Sequence, residues 1–163
     1  MNIIRAFLDD VVQPNMQQAM EAPGDLRSVV NAVLTIDALA GVLYSAMTQI
    51  RHPAVDGLKG DDEYRDRLAE GCYEFRVLRD LAAAYKHGEL TYPKKKQPRL
   101  VRDPKNVSTV VAGAGTMQFG IDRPGAPLLY IMLDDQTWVR ASSAISASYR
   151  LLRPLVAEVI GQA

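Results

Sequence analysis

The chain has 163 residues, of which 48% are hydrophobic and 23% are charged, a composition typical of one globular domain and unlike that of a disordered chain. Nineteen basic and nineteen acidic side chains cancel, which excludes a global electrostatic attraction to nucleic acid or to an anionic membrane. The single cysteine excludes an internal disulfide and a zinc–thiolate cluster, and it favours a reducing, cytoplasmic setting.

A short amphipathic helix opens the chain. Its apolar residues recur at helical spacing, namely Ile4, Phe7, Leu8, Val11 and Val12. Because proline lacks an amide hydrogen and clashes with the preceding turn, we expect Pro14 to bend or end this helix.

A second, long helix is predicted from about residue 26 to residue 49. Asp25 follows a Pro-Gly turn and can cap the free amides of the helix, and Pro53 marks its end. The helix is apolar around most of its circumference, which indicates a position at the centre of a bundle or against a second subunit. Its length would span a membrane, but the carboxylate of Asp37 is costly in lipid, so we interpret it as a core helix.

A third helix is predicted from Asp61 to His87. Three carboxylates occupy its first turn, where the helix dipole favours them. Lys86 and His87 lie in its last turn and Gly88 follows, which is typical of a helix C-terminus.

Residues 91–106 differ in composition from the predicted helices before them. Pro93, Pro98 and Pro104 indicate a loop. The loop also carries six cations, which are Lys94, Lys95, Lys96, Arg99, Arg102 and Lys105. Such a run can contact the phosphates of a nucleic acid, although a solvated linker is its commoner meaning.

The sequence then changes to the alternating period of β-strands. Residues 107–112 and 116–121 flank Gly-Ala-Gly and predict one hairpin. Residues 128–133 and 137–140 flank Asp-Asp-Gln and predict a second one. Together the two hairpins make a small antiparallel meander of about four strands.

A final helix follows, which Ser142 or Ser143 caps and Pro154 should kink. The whole pattern predicts a single α+β domain with one short and two long N-terminal helices, the β-meander, and a C-terminal helix packed back on the domain. Its successive parts are 1–90 (helical), 91–106 (basic loop), 107–141 (meander) and 142–161 (final helix).

The end of the third helix carries the first candidate site. At about 100° per residue, Arg76, Asp80 and His87 fall on one stripe. A cation, a carboxylate and an imidazole in line can bind an anion or orient a base, so these three are candidate catalytic residues. The simpler interpretation is an Arg76–Asp80 ion pair on an exposed face and a histidine that suits the negative end of the helix dipole.

Two acids lie on predicted apolar faces, where a charge needs a partner. Asp37 belongs to the second helix and Glu74 to the third. If these helices pack antiparallel, the acids can meet Arg76, Arg79 or His87. A buried structural salt bridge is then expected more often than a functional role.

A metal site can also be drawn from Asp37, His52, Asp80 and His87. No close-spaced ligand motif supports it, so we predict no metal. The glycines at 113 and 115 lie in a predicted hairpin rather than before a helix, so we predict no nucleotide cofactor there either.

The segment Arg79-Asp-Leu-Ala-Ala-Ala-Tyr-Lys-His87 resembles the helix end of a group of bacterial proteins of unknown function with an Arg-Asp-x-Ala-x-Ala-x-Lys-His pattern. It is also similar to the HEPN helical superfamily, whose members include RNA-cleaving toxins and RNA-binding modules, often dimeric. The likeness covers the second and third helices. It implies RNA as a partner and, in an enzyme, His87 as the proton-transfer group with Arg76 or Arg79 holding a phosphate.

Two functions follow from these features. The preferred one is a non-catalytic binding or scaffold protein, a homodimer through the second helix or its edge strands. The alternative is a HEPN-like RNA-binding or RNA-cleaving protein of the toxin or defence type, in which the basic loop guides the strand. Seven residues separate Arg79 from His87, a wider spacing than in the family's catalytic pattern, and this favours the non-catalytic function.

Overall fold

A computed structural model describes residues 3–90, 98–118 and 120–162 and shows an α+β fold, in which a helical bundle carries a small antiparallel sheet. The helices are α1 Ile3–Phe7, α2 Gln13–Glu21, α3 Leu26–Gln49, α4 Asp61–Gly71, α5 Tyr73–His87 and α6 Ala141–Gln162. The strands are β1 Val107–Val111, β2 Pro127–Met132 and β3 Trp138–Arg140. Short 3-10 turns lie at Pro53–Val55 and Pro104–Asn106.

The first helical stretch continues beyond Pro14. A π-helical turn, Leu8–Val12, joins α1 to α2, and the amide of Gln13 donates to the carbonyl of Leu8. Pro14 then lies in the first turn of α2, where its missing amide hydrogen is least costly. Proline therefore does not end the helix, because the widened turn before it changes the hydrogen-bond register.

The long helix α3 has the predicted bounds. Asp25 caps it by accepting a 3.1 Å hydrogen bond from the amide of Ser28. α3 packs against α2, α4, α5 and α6, and this central position explains its apolar circumference. Among the described helices it is the one long and apolar enough to cross a membrane, a property that core helices share.

The predicted third helix is two helices. Cys72, with φ −145° and ψ 108°, is extended between α4 and α5. The residue before it is Gly71, and glycine is a weak helix former. The break lets α4 and α5 both pack against α3, so the prediction of one continuous helix is wrong.

Within the described part of the chain, the sheet has three strands in the order β1-β2-β3 rather than about four. β1 is antiparallel to β2, with Val107 opposite Ile131. The described residues of the predicted strand 116–121 form no strand. They belong to a connector, of which residues 113–118 and 120–126 are described. Two backbone hydrogen bonds close its base: the amide of Ala112 donates to the carbonyl of Ala126 (2.8 Å), and the amide of Gly125 donates to the carbonyl of Ala112 (2.9 Å).

The connector covers the sheet face that points away from the main core. The hydroxyl of Tyr130 donates to the carbonyl of Thr116 (2.9 Å), and both Nη atoms of Arg140 donate to Asp122. Leu128 is buried on the same face. These contacts hold the connector to the sheet, so tertiary packing overrides its strand-like pattern.

α6 follows β3 without a loop. Ser142 and Ser143 therefore lie inside its first turn and do not cap it. The predicted cap is wrong because Arg140, which precedes the helix, still belongs to β3 and pairs with Tyr130. α6 continues through Pro154 and packs against α3 and α5, which brings the C-terminus back onto the bundle.

Candidate functional site

α5 buries one face and ends in a polar turn. Phe75, Leu78 and Leu81 are fully buried, which fixes the helix against the core. The helix ends at Gly88, whose φ of 76° is favourable for glycine and strained for other residues. Gly88 therefore fixes the position at which the backbone of α5 ends.

Asp37 is a buried carboxylate on α3 that two cations share. Nζ of Lys86 lies 2.6 Å from its Oδ2, and Nε of Arg65 on α4 lies 3.4 Å from its Oδ1. The side chain of Asp37 is 6% exposed and that of Lys86 is 40% exposed, so the pair reaches from the core to the surface. The partners are thus Lys86 and Arg65 rather than an arginine of α5 or His87.

Gly41 of α3 makes room for Arg65. Arg65 also pairs with Asp61 (2.5 Å, Nη1 to Oδ2). A β-carbon at position 41 would lie 2.7 Å from Nη2 of Arg65 and 3.2 Å from Oδ2 of Asp61. Glycine inside a helix costs about 1 kcal/mol relative to alanine, and here it lets the ion pair lie directly against α3.

Arg79 and Asp80, neighbours on α5, anchor the segments around them. Arg79 pairs with Asp66 of α4. Asp80 accepts a hydrogen bond from Arg99 (2.5 Å) and another from the amide of Leu100 (2.7 Å). Both α5 side chains are buried. These contacts fix α4 and residues 99–100 to α5.

Arg76 and Asp80 do not form the predicted ion pair. Arg76 donates to the carbonyl of Pro98 (2.7 Å), while Asp80 is bound by Arg99. Two donors from one segment satisfy a buried carboxylate better than one exposed side chain a turn away. The predicted stripe of Arg76, Asp80 and His87 is therefore divided among separate contacts.

A polar cavity of about 250 Å³ lies at the C-terminal end of α5, and we name it the cation cavity. Its lining residues are Asp37, Asp62, Arg65, Arg79, Ala83, Lys86, His87, Leu90 and Arg99. Four permanent cations and one imidazole thus share the cavity with two carboxylates. The arginines also pair with three acids that do not line the cavity, namely Asp61, Asp66 and Asp80.

Four of the predicted candidates, Asp37, Arg79, His87 and Arg99, meet at the cation cavity. Asp80 contacts it indirectly through Arg99. Arg76 is not part of its lining. Sequence analysis did not select Arg65 at all, because nothing in the local pattern of α4 indicates that it reaches Asp37 on another helix.

The remaining candidates lie elsewhere. Glu74 is half-buried, and its carboxylate lies 3.7 Å from the thiol of Cys72. Arg102 pairs with Asp134. The lysines at 94–96 are outside the described residues, so their predicted phosphate contacts stay a prediction.

Of the four residues considered for a metal, Asp37 and His87 line the cation cavity, whereas His52 and Asp80 do not. Nδ1 of His52 accepts from the amide of Ala54 (3.2 Å), and Nε2 lies 3.0 Å from Glu158 of α6. Asp37 and Asp80 are bound by cations. Within residues 3–90, 98–118 and 120–162, no three His, Cys, Asp or Glu side chains are arranged to hold a metal ion.

A larger concavity of about 1080 Å³ lies between the α2–α3 turn, the connector and the start of α6. We name it the serine–arginine groove after the arginines and serines in its lining, which are Arg123, Arg140, Ser142, Ser143, Ser146 and Arg150. Four carboxyl side chains also line it, namely Glu21, Asp25, Asp122 and the predicted candidate Glu74. Its walls come from segments far apart in sequence, so sequence analysis missed it. The one local signal was an arginine directly before a serine-rich helix start.

Among the described residues, the ionisable groups with shifted pKa values include Asp122, Tyr64 and Tyr85. The hydrogen bonds from Arg140 hold the pKa of Asp122 below its usual 3.8, so this carboxyl is ionised at neutral pH. Burial, and secondarily the carboxylate of Glu158, raises the pKa of Tyr64 to about 12. Burial also raises the pKa of Tyr85, so both tyrosines are neutral.

Comparison of the chain with protein-family models, with curated proteins and with solved structures finds no match. The geometry of the two sites is therefore the basis for a functional proposal.

Proposed function

We propose that the protein is a non-catalytic binding protein that holds a phosphate-bearing ligand in the cation cavity. The proposal is based on the four cations that line this one cavity, namely Arg65, Arg79, Lys86 and Arg99. Guanidinium and ammonium groups suit phosphate oxygens, because charge-assisted hydrogen bonds are roughly twice as strong as neutral ones. A volume of about 250 Å³ accepts a phosphate and part of the molecule that carries it.

The ion pairs around the cavity favour binding because they hold the cations in place. Asp66 restrains Arg79, and Asp80 restrains Arg99. A side chain that is already fixed loses little conformational entropy when a ligand arrives. Lys86 and His87 are exposed and can adjust to the ligand.

The same contacts favour binding over acid–base catalysis. A general base has to be oriented by a hydrogen bond and needs a lone pair that is free to accept a proton. No side chain or backbone group among the described residues forms a hydrogen bond with the ring of His87. Asp37 is committed to Lys86 and Arg65.

The proposal is tested by calorimetric titration with a nucleoside monophosphate and with the same nucleoside lacking the phosphate. We expect the monophosphate to bind at least about tenfold more tightly, since a charged hydrogen bond contributes roughly 1.5–3 kcal/mol. Lys86→Gln should weaken the monophosphate about tenfold. Equal affinity for the two probes would contradict the proposal.

Two further variants control this experiment. Arg153→Gln removes an exposed arginine of α6 that lines neither concavity, and it should leave the affinity unchanged. Lys86→Gln in an Asp37→Asn background removes the cation without leaving a buried carboxylate unpaired. If both Lys86 variants bind like the wild type, the cation cavity is not the site.

RNA is the second candidate ligand. Leu90 and Arg99 both line the cavity, and in sequence they flank the lysines at 94–96. An RNA strand held in the cavity therefore contacts Leu90 and Arg99, and the lysines between them in sequence carry further charges that can contact phosphates. In a catalytic form His87 exchanges the proton while Arg79 holds the phosphate.

Incubation with a mixed RNA pool separates RNA binding from RNA cleavage. Cleavage by the wild type that disappears in His87→Ala, with binding retained, supports the enzyme. Binding without cleavage supports the non-catalytic function. Cleavage that survives in His87→Ala excludes this histidine as the catalytic group.

We also propose a homodimer through the edge of the sheet. β1 is an edge strand, and its Val111 is 65% exposed. An apolar edge strand offers unpaired backbone groups to a second copy, and a charge there blocks such pairing. Light scattering should therefore find a dimer for the wild type and a monomer for Val111→Lys, whereas a monomeric wild type would contradict the proposal.

A further inference from the structure

The chain has two histidines, and they lie in opposite environments. His52 is buried, and both of its ring nitrogens are engaged: Nδ1 accepts from the amide of Ala54 (3.2 Å), and Nε2 lies 3.0 Å from Glu158. His87 is exposed and lines the cation cavity. Its ring forms no hydrogen bond or ion pair with another described residue, so both of its nitrogens are available to a proton and to a ligand.

The permanent cations of the cavity are already compensated. Each of the four has an acid partner, and they are Arg65, Arg79, Lys86 and Arg99. The imidazole of His87 is the remaining basic group in the lining. A proton on this ring therefore adds a positive charge that is not already committed to an ion pair among the described residues.

The charged groups that share the cavity with His87 come from three helices and the segment that follows them. They are Asp37 of α3, Asp62 and Arg65 of α4, Arg79 and Lys86 of α5, and Arg99. Of the side-chain types in this lining, histidine is the one that ordinarily changes its charge between about pH 5 and pH 8. Asp62 is exposed and has no ion pair with another described residue, so it offsets part of the added charge. Glu89, two positions after His87, is exposed and lies outside the lining.

We propose that protonation of His87 regulates the cation cavity, so that a phosphate is bound more tightly in weakly acidic than in weakly alkaline solution. This inference rests on the proposed function. The protonated ring donates from both nitrogens and carries a charge, and a charge-assisted hydrogen bond to a phosphate oxygen is stronger than a neutral one. The affinity is therefore highest where His87 carries its proton and falls as the pH rises and the proton is lost. By reciprocity, a bound phosphate strengthens the binding of the proton by the same factor.

Calorimetric titration of the wild type and of His87→Gln with a nucleoside monophosphate, at about pH 6 and about pH 8, tests this regulation. The phosphate itself takes up a second proton near about pH 6, but this affects both proteins alike and cancels in the ratio of their dissociation constants. We expect His87→Gln to bind about fivefold more weakly than the wild type at the lower pH and equally well at the higher pH. The variant should fold, because His87 is exposed and unpaired among the described residues.

Two controls separate the proton on His87 from the permanent charges. Lys86→Gln should weaken the monophosphate at both pH values and keep the difference between them, because the charge of Lys86 does not depend on pH in this range. In an NMR titration of the two imidazole rings, the ligand should move the protonation midpoint of His87 to a higher pH. It should leave the ring signals of His52 unchanged, because His52 does not line the cavity.

The outcomes distinguish the regulation from the proposed function. If the wild type does not bind the monophosphate at either pH, the proposed function is overturned and the regulation with it. If the wild type binds the monophosphate but the two proteins differ by less than about twofold at the lower pH, only the regulation by His87 is overturned. A loss in His87→Gln that is equally large at both pH values also overturns it, because the ring then contributes without its proton.

Discussion

The cation cavity and the serine–arginine groove hold their charges in opposite ways. In the cavity, Arg65, Arg79, Lys86 and Arg99 each have an acid partner. In the groove, Arg140 is paired, whereas Arg123 and Arg150 have no partner among the described residues. Paired cations maintain the fold and present fixed donors, while free ones have no structural task. Variants of the cavity should therefore lower both the stability and the ligand affinity, whereas variants at the free arginines of the groove should leave the stability almost unchanged.

The largest effect should come from Asp80→Ala. It leaves the guanidinium of Arg99 and the amide of Leu100 without their shared acceptor. Breaking one side of a buried ion pair costs about 3 kcal/mol, and urea denaturation measures this loss. Glu70→Ala, at an exposed acid of α4, is the control. If Asp80→Ala lowers the free energy of unfolding by less than about 1 kcal/mol, the paired cations of the cavity do not stabilise the fold more than the free arginines of the groove.

A smaller loss is expected for Asp37→Ala. It should destabilise the protein by about 2 kcal/mol, less than Asp80→Ala, because Lys86 is 40% exposed and can return to water. A double-mutant cycle with Lys86→Met should give a coupling of about 1 kcal/mol. Strictly additive single effects would mean that the pair contributes nothing.

The pH dependence of stability tests the ion pair between Arg140 and Asp122 in the groove. Since Arg140 lowers the pKa of Asp122, this carboxyl stabilises the fold fully above about pH 4 and loses that contribution as the pH falls through its lowered pKa. Asp122→Asn should therefore cost about 1.5 kcal/mol at neutral pH. The difference from the wild type should shrink in acid. If the difference in unfolding free energy between the wild type and Asp122→Asn instead grows below pH 4, the predicted direction of this pH dependence is wrong.

The smallest effects should come from the free arginines. Arg123→Ala and Arg150→Ala should each change the free energy of unfolding by less than about 0.5 kcal/mol. Thermal or urea denaturation checks this. A loss above about 1 kcal/mol would show that these side chains have structural partners.

Local signals predicted a large part of the fold. Asp25 and the apolar period defined α3 within its observed bounds, because capping and periodicity depend on neighbouring residues. Gly88 likewise marked the end of α5. The connector was mistaken for a strand because its alternating pattern is local, whereas the contacts of Thr116 and Asp122 with the sheet depend on tertiary packing.

The candidate sites were less predictable for the same reason. The acid Asp37 was selected because a carboxylate on an apolar face needs a partner. Its partner Lys86 lies 49 positions away, and no local pattern identifies which cation of another helix will reach it. The groove depends on the docking of three separate segments. The sequence alone therefore indicated only a capping role for Ser142 and Ser143, and it indicated no role for the arginines of the groove.

The most direct test of the central claim is an NMR titration of the isotope-labelled protein with a nucleoside monophosphate, compared with the nucleoside. A ligand in the cation cavity should shift the backbone amide signals of Lys86, His87 and Arg99 with the monophosphate and leave them unchanged with the nucleoside. Shifts confined to the first turn of α6, or no shifts at all, would contradict phosphate binding in the cation cavity.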